Sequence, residues 1–143
     1  MNYWGPIIWK VIHLSTYRYS DSPSEEQQKI YRYFYHSVIP AVLPCPKCRK
    51  HWIQNLQFQP VRLKNRHKLK RWAVDIHNRV NHSLKKKIYS YEESENIYQY
   101  CDFSTEFKIL IEYLQKRVRN GRLSITMFQY FTRFIVTSGL ITI

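Results

Sequence analysis

A helix break followed by two cysteines occupies residues 43–52, which read LPCPKCRKHW. Pro44 interrupts the preceding segment because it lacks a backbone N–H and disfavours helical geometry in the residue before it. Beyond it, thiol and apolar side chains recur at i, i+3, i+7 and i+11, the spacing of one helical face, at Cys45, Cys48, Trp52 and Leu56. The pattern predicts a helix that begins at the CxxC pair and directs both thiols toward the interior.

Further helices are predicted on both sides of this segment. Upstream, helical spacing predicts one helix over residues 6–19 and a second over residues 24–40, which Ser24 and Gln27 open as a capping box. Downstream, apolar periodicity predicts helices over residues 66–86 and 92–100, and two more after Asp102 that are separated by Asn120-Gly121. With only three Gly and no strand-like alternation, the sequence predicts an all-α fold.

Length, composition and net charge limit the kinds of protein this chain can be, but they do not identify its function. A chain of 143 residues with 44% hydrophobic residues is predicted to form one compact unit. Its formal charge of +13 must attract anions, whether nucleic acid, acidic membrane, phosphorylated cofactor or acidic protein. No run approaches the roughly 18 apolar residues of a membrane span, and no secretory signal pattern follows Met1. We therefore expect a protein that neither spans a membrane nor is secreted.

The pair Cys45 and Cys48 is suited to redox chemistry. Three cysteines are too few for the disulfide framework of a small secreted protein, and an odd number cannot all pair within one chain. At a helix N-terminus, the helix dipole and unpaired backbone N–H groups stabilise a thiolate, as do the charges of Lys47, Arg49 and Lys50. The spacing also allows an exchangeable disulfide within one turn, which can accept a substrate thiol.

A second polar cluster lies in the predicted helix over residues 66–86. On such a helix, Asn78, Asn81 and Lys85 share one face, and His77 stacks over Asn81. Amide side chains can hydrogen-bond the polar edge of a heterocycle, and a lysine in the last turn can meet a pyrophosphate. The alternative interpretation of this cluster is a solvated polar face.

Three sequence blocks, in order, resemble a known family. Residues 4–13 (WGPIIWKVIH), residues 43–52 and residues 77–84 (HNRVNHSL) look like the ordered motifs of the Erv/ALR flavin-linked sulfhydryl oxidases. The resemblance covers roughly residues 4–92, and the chain is similar to the minimal versions encoded by large DNA viruses. Residues 102–143 lie outside it.

The resemblance implies a four-helix bundle plus a short fifth helix, with FAD held noncovalently near the CxxC pair. Residues 1–100 would form this FAD-binding sulfhydryl oxidase domain, and residues 101–143 a helical C-terminal extension that packs on it or forms an interface. The implied catalytic residues are Cys45, which exchanges with substrate, and Cys48, which faces the flavin as the charge-transfer thiolate. The implied cofactor-binding residues are Gly5, Trp9, His13, Cys48, His77, Asn78, Val80, Asn81, Leu84, Lys85, Lys86 and Tyr89.

The activity implied by the resemblance is thiol oxidation. Substrate thiols would reduce the Cys45–Cys48 disulfide, and electrons would pass through FAD to molecular oxygen, which becomes hydrogen peroxide. The implied partners are a thiol-containing substrate or shuttle protein and a second copy of the chain, since family members commonly pair through their first two helices. The viral likeness implies the host cell cytoplasm, and the virion as a second location.

The chain departs from the family pattern at several positions. Val74 and Tyr91 stand where many members have a cysteine pair that clamps the fifth helix, and no separate shuttle CxxC is present. Cys101 is interpreted as a buried or idle thiol. Lys85 replaces the usual Gly, which leaves the pyrophosphate contact open among Lys85, Lys86 and Lys87.

Two other function classes compete with this interpretation. Cys45, Cys48 and His51, with His67 or His77, offer four ligands of a type that binds zinc. The basic runs over residues 62–71 and 85–87, with tyrosines nearby, suggest a nucleic-acid-binding module, although no DNA- or RNA-binding motif accompanies them.

Overall fold

The computed structural model describes residues 4–140, and every regular element within that range is helical. The predicted all-α fold is confirmed. The helices are α1 (Trp4–Tyr17), α2 (Glu25–Tyr33), α3 (Ile39–Val42), α4 (Pro46–Phe58), α5 (Arg66–Ser83), α6 (Tyr91–Tyr98), α7 (Phe103–Arg119) and α8 (Ile125–Ser138), with a π-helical turn over Phe34–Val38 between α2 and α3. No helix within residues 4–140 is long and apolar enough to cross a membrane.

Helix α1 lies at the centre of the molecule. It packs against α5 on one side and α7 on the other, α4 packs on α5, and α6 contacts both α1 and α5. Because it has neighbours on several sides, α1 buries every residue from Val11 to Thr16. The side chains of this helix that reach the site are therefore fixed by packing on both flanks.

The predicted second helix is interrupted by the π-helical turn. Pro40 has no N–H to donate to the carbonyl of His36, and its ring would clash with that carbonyl in a regular helix. The turn widens instead, and the N–H of Ile39 donates to the carbonyl of Phe34, five residues earlier. This releases the carbonyl of Tyr35, which accepts a hydrogen bond of 2.8 Å from the indole N–H of Trp52. The proline thereby ties α4 to the preceding helix.

The end of α5 differs from the sequence prediction. The predicted helix reached Lys86, but α5 ends at Ser83, and Lys85 takes a left-handed backbone conformation with φ 57°. The N–H of Lys85 donates to the carbonyl of His82, and the N–H of Lys86 to that of Asn81, which is the Schellman closure. Lys85 therefore does not share a helical face with Asn78 and Asn81, and that prediction was wrong.

Noncovalent contacts hold α6 against α1 and α5. Glu95 accepts hydrogen bonds of 2.9 Å from both Tyr17 of α1 and Lys70 of α5. The guanidinium of Arg71 lies 4.5 Å from the centre of the Tyr91 ring. Hydrogen bonds and ring contacts thus fasten α6 to both neighbours.

The described part of the C-terminal extension shares the core of the other helices. Leu110 and Leu114 of α7 and Phe131 and Ile135 of α8 belong to the same buried cluster as the side chains of α1 and α5. Helix α7 covers α1, and α8 covers the π-helical turn and α3. The loop between α7 and α8 is thereby brought beside the start of α4.

Candidate functional site

Cys45 and Cys48 form a disulfide at the N-terminus of α4, with their Cα atoms 5.2 Å apart. Cys45 is the N-cap residue, and its sulfur accepts a hydrogen bond of 3.1 Å from the backbone N–H of Cys48. Both cysteines are half-buried. After reduction, the same N–H and the helix dipole favour a thiolate over a thiol at this position.

Two arginines hold the peptide segment that leads into the disulfide. Arg49 of α4 donates to the carbonyl of Leu43 at 3.1 Å, and Arg117 of α7 donates to the carbonyl of Pro44 at 3.2 Å. Charged donors make stronger hydrogen bonds to carbonyls than neutral ones do. The backbone before Cys45 is therefore fixed from both sides, and one of the two arginines comes from the extension.

Four rings from three helices form two stacked pairs that are joined to each other, here called the stack. The rings of Trp9 and His77 lie 4.0 Å apart with planes 10° from parallel, and those of His13 and Tyr98 lie 4.1 Å apart at 11°. A hydrogen bond of 2.9 Å between His13 Nε2 and His77 Nδ1 joins the two pairs. The stack links α1, α5 and α6 into one rigid wall.

Both histidines of the stack are held neutral at neutral pH. Burial lowers the pKa of His77 to about 4, and the nearby charge of Lys86 adds to this effect. Burial, with His77 as a second cause, holds the pKa of His13 well below its usual range. Their shared hydrogen bond therefore joins one N–H donor and one bare ring nitrogen.

A cavity of about 370 Å³, here called the thiol cavity, lies between α1, α4 and α5. Cys48 lines it, whereas Cys45 does not. Its other lining residues are Trp4, Ile8, Trp9, Ile12, Leu43, His51, Trp52, Gln54, Asn55, Phe58, Arg79, Val80, Ser83 and Leu84. The lining is mostly apolar and aromatic, as expected of a site for a flat ring system.

A second cavity of about 400 Å³, here called the lysine cavity, adjoins the thiol cavity. Lys10, Lys86 and Lys87 give it a positive lining. It shares four lining residues with the thiol cavity, namely Trp4, Trp9, Val80 and Leu84. An apolar chamber beside a thiol and a basic chamber next to it match the two chemical halves of a flavin dinucleotide, so the residues present fit that group.

The structure brings most of the predicted cofactor residues together. Nine of the twelve line at least one of the two cavities: Gly5, Trp9, Cys48, His77, Val80, Asn81, Leu84, Lys86 and Tyr89. The other three, His13, Asn78 and Lys85, line neither. His13 lies behind His77 as its hydrogen-bond partner.

Asn78 takes part in the site by holding backbone. Its side-chain amide donates to the carbonyl of Tyr89 at 2.6 Å, and its side-chain oxygen accepts from the N–H of Tyr89 at 2.9 Å. This paired contact fixes the segment that follows α5, which carries Lys86 and Lys87 into the lysine cavity. Of the three lysines considered from sequence, Lys86 and Lys87 line a cavity, and Lys87 also pairs with Glu93 at 3.1 Å.

Zinc is not the favoured interpretation of the cysteines. Cys45 and Cys48 are joined by a disulfide. His77 is hydrogen-bonded to His13, and His67 accepts a hydrogen bond from Arg71. Within residues 4–140, no group of three or more His, Cys, Asp or Glu side chains is arranged to hold a metal ion.

Sequence reasoning missed several residues of the site. Trp4, Trp52 and Tyr98 line a cavity, and Arg117 reaches the disulfide segment. Trp52 lay on the helical face that also carries both cysteines, so its spacing could have indicated a role. Arg117 lies 73 residues from Pro44 and carries no local signal.

Comparisons with known proteins identify similar chains and folds. The sequence model of the Erv1/Alr family matches residues 6–100. A FAD-linked sulfhydryl oxidase of African swine fever virus is 35% identical over 100 residues, which are 69% of this chain and 82% of the viral protein. The FAD-linked sulfhydryl oxidase ERV2 of Saccharomyces cerevisiae is 33% identical over 86 residues, 59% of this chain and 43% of the yeast protein. The crystal structure of the yeast Erv1 core, 23% identical, has the same fold with a TM-score of 0.62, covering 68% of this chain and 83% of that one.

Proposed function

Because the chain belongs to the Erv1/Alr family, we propose that it is a FAD-linked sulfhydryl oxidase, which forms disulfides in thiol substrates and reduces oxygen to hydrogen peroxide. The observation that carries this proposal is the position of the Cys45–Cys48 disulfide. It begins a helix, and Cys48 borders an apolar cavity walled by aromatic rings. A thiol-disulfide exchange centre and a site for a planar redox ring thus meet at one sulfur.

The two cysteines have different tasks in this proposal. Cys45 is the exchange cysteine, since it lines an outer groove but not the thiol cavity. A substrate thiolate attacks Cys45 Sγ, the Cys45–Cys48 bond breaks, and Cys48 leaves as a thiolate. A second substrate thiolate then attacks the substrate sulfur of the mixed disulfide and releases Cys45. Two electrons have passed from the substrate dithiol to the cysteine pair.

The two cavities would hold FAD. Trp9 and His77 would contact its rings, Lys86 and Lys87 would compensate the pyrophosphate charge, and Asn78 would fix the backbone that positions both lysines. When bound, FAD supplies a two-electron acceptor that molecular oxygen can reoxidise. Cys48 lies where its sulfur borders the thiol cavity. His77 lines the lysine cavity as a neutral ring and adds no charge there.

The proposed assembly and location rest on similarity alone. We propose a homodimer whose pairing surface lies outside the faces of α1 that α5 and α7 cover. We also propose a place in the cytoplasm of an infected cell, which the 35% identity to the viral oxidase supports. Light scattering of the purified protein would contradict the dimer if it gave the mass of one chain.

One experiment tests the function. The purified protein is expected to show a flavin absorption spectrum and to consume oxygen when dithiothreitol is added. The double variant Cys45→Ala/Cys48→Ala is expected to keep the spectrum and lose oxygen consumption. A colourless protein that binds stoichiometric zinc, or a double variant with full activity, would contradict the proposal.

A further inference from the structure

We propose that the groove outside the disulfide, which the C-terminal extension completes, selects thiol substrates with acidic residues beside their cysteines. This inference rests on the proposed function. The groove encloses about 520 Å³, with Pro44, Cys45 and Cys48 on one side and Arg117, Gly121 and Arg122 of the extension on the other. We call it the disulfide groove. The family match ends at residue 100, so one wall lies outside the matched region.

The charge of the disulfide groove is uniformly positive. Arg117 and Arg122 line it, and no Asp or Glu does. None of the ion pairs found among residues 4–140 involves either arginine, and Lys47, between the two cysteines in the sequence, is exposed. Uncompensated charge of one sign in a concave surface attracts segments of the opposite sign and repels those of the same sign. Acidic flanks are therefore favoured and basic flanks disfavoured.

Arg117 is preorganised for this task. Its guanidinium donates to the carbonyls of Pro44 and Arg122 at 3.2 Å each and lies 5.8 Å from the Tyr113 ring centre. Its Nε atom is buried and has no hydrogen-bond partner among the described residues. A fixed charge loses little conformational freedom when a ligand arrives. It also stands beside Cys45, where the incoming substrate sulfur must carry negative charge to attack.

The chemical step is the same as for any dithiol. The substrate thiolate forms a bond to Cys45 Sγ as the Cys45–Cys48 bond breaks. The second substrate thiolate then attacks the substrate sulfur of this mixed disulfide, and the bond to Cys45 breaks to release the Cys45 thiolate. The substrate loses two electrons and the enzyme cysteines gain them. The groove therefore affects how readily each substrate binds and not the exchange step itself. The preference is measured as a difference in kcat/KM between substrates.

Two synthetic peptides test the inference on the flavin-loaded protein. Each contains the same CxxC dithiol, one flanked by glutamates and one by lysines, and oxygen uptake gives kcat/KM for each peptide and for uncharged dithiothreitol. We expect the wild type to prefer the acidic peptide by a factor on the order of tenfold at low salt, with the preference falling as salt is added.

Charge reversal in the groove supplies the decisive comparison. Arg122→Glu should lower the ratio of the two peptide rates severalfold. Arg119→Glu, which makes the same change two residues beyond Arg117 on an exposed position that does not line the groove, should keep the wild-type ratio. Each peptide rate is divided by the dithiothreitol rate of the same variant, so that a general loss of activity cancels.

The possible failures are distinguishable. If the wild type oxidises dithiothreitol but treats both peptides alike, the groove inference is overturned and the oxidase function stands. Equal effects of Arg122→Glu and Arg119→Glu would also overturn it, because net charge alone would then explain the preference. If the wild type oxidises neither dithiothreitol nor peptide, the proposed function fails and the inference with it.

Discussion

The two adjoining cavities, which share Trp9 in their walls, are built differently. The lining of the thiol cavity comes mainly from three helices, is largely apolar, and includes one redox-active sulfur. The lysine cavity also takes residues from the non-helical segment after α5, including Lys86, Lys87 and Tyr89, and its lining is partly charged. The difference indicates a division of labour, in which one side performs chemistry and the other anchors the cofactor. Substitutions on the two sides should therefore have separable effects.

A substitution of the redox-active sulfur in the thiol cavity should abolish turnover while the protein keeps its flavin. Cys48→Ala removes the sulfur that borders the thiol cavity but leaves every residue of the lysine cavity in place. We expect dithiothreitol-dependent turnover to fall by at least about a thousandfold, as when a nucleophile that acts as part of a unit is removed. The flavin content, read from the visible spectrum after gel filtration, should match the wild type. Loss of flavin together with activity would mean that the two sides are not separable.

A substitution that disturbs the lysine cavity should weaken flavin binding while the cysteine pair stays able to react. Asn78→Leu leaves the backbone N–H and carbonyl of Tyr89 without their partner, at a cost of about 1–3 kcal/mol for each group that stays buried. The segment that carries Lys86 and Lys87 should then loosen. We expect flavin to be lost on dialysis and activity to return when excess FAD is added.

Asn96→Leu is the matched control for this variant, since Asn96 is exposed on α6 and, among residues 4–140, its side chain hydrogen-bonds only to Gln99. It should retain its flavin. A failure of excess FAD to restore activity in Asn78→Leu would show that Asn78 affects the chemistry as well as the anchoring.

His77, which lines the lysine cavity, should make the stability of the fold depend on pH. The pKa of His77 is lowered by burial to about 4 from its ordinary 6.5, so the unfolded chain takes up a proton between these values that the folded chain does not. The free energy of unfolding should therefore fall as pH decreases from 6.5 toward 4, by up to about 1.4 kcal/mol per pH unit for this histidine.

Urea unfolding at a series of pH values measures this effect against His77→Phe, which keeps a ring beside Trp9 but does not titrate. The variant should show a shallower slope below pH 6.5 and a similar slope above it. If both proteins gave the same slope, His77 would be protonated in the folded state, and the stack would not hold it neutral.

The sequence predicted the elements of the fold better than their ends. Pro44 and the spacing from Cys45 onward placed the start of α4, and Ser24 was correctly assigned as a cap, since its side chain accepts from the N–H of Gln27. The predicted end of α5 was wrong, because Leu84, Lys85 and Lys86 are good helix formers and the sequence pattern therefore continues past Ser83. Contacts between Asn78 and Tyr89, eleven residues apart, redirect the chain there, and no local pattern reveals them.

The site was predictable where one short block carried it. His77, Val80, Asn81 and Leu84 belong to one motif, and all line a cavity. The ring of Tyr98 and the guanidinium of Arg117 reach the site from helices whose sequences give only an amphipathic period. Such partners depend on how distant helices pack, which sequence periodicity does not specify.

The smallest expected effect concerns the turn that leads from α5 into the lysine cavity. Lys85 holds a left-handed backbone conformation with φ 57°. In this conformation the Cβ atom of a non-glycine residue is strained against the backbone by about 1 kcal/mol, and glycine has no such strain. Lys85→Gly should therefore raise the free energy of unfolding by about 0.5–1 kcal/mol in urea titrations, because the relief of strain exceeds the added freedom of the unfolded chain. Lys64→Gly, at an exposed bend without positive φ, should instead lower it. Destabilisation by both substitutions would show that the Lys85 side chain, rather than its backbone conformation, supports the lysine side.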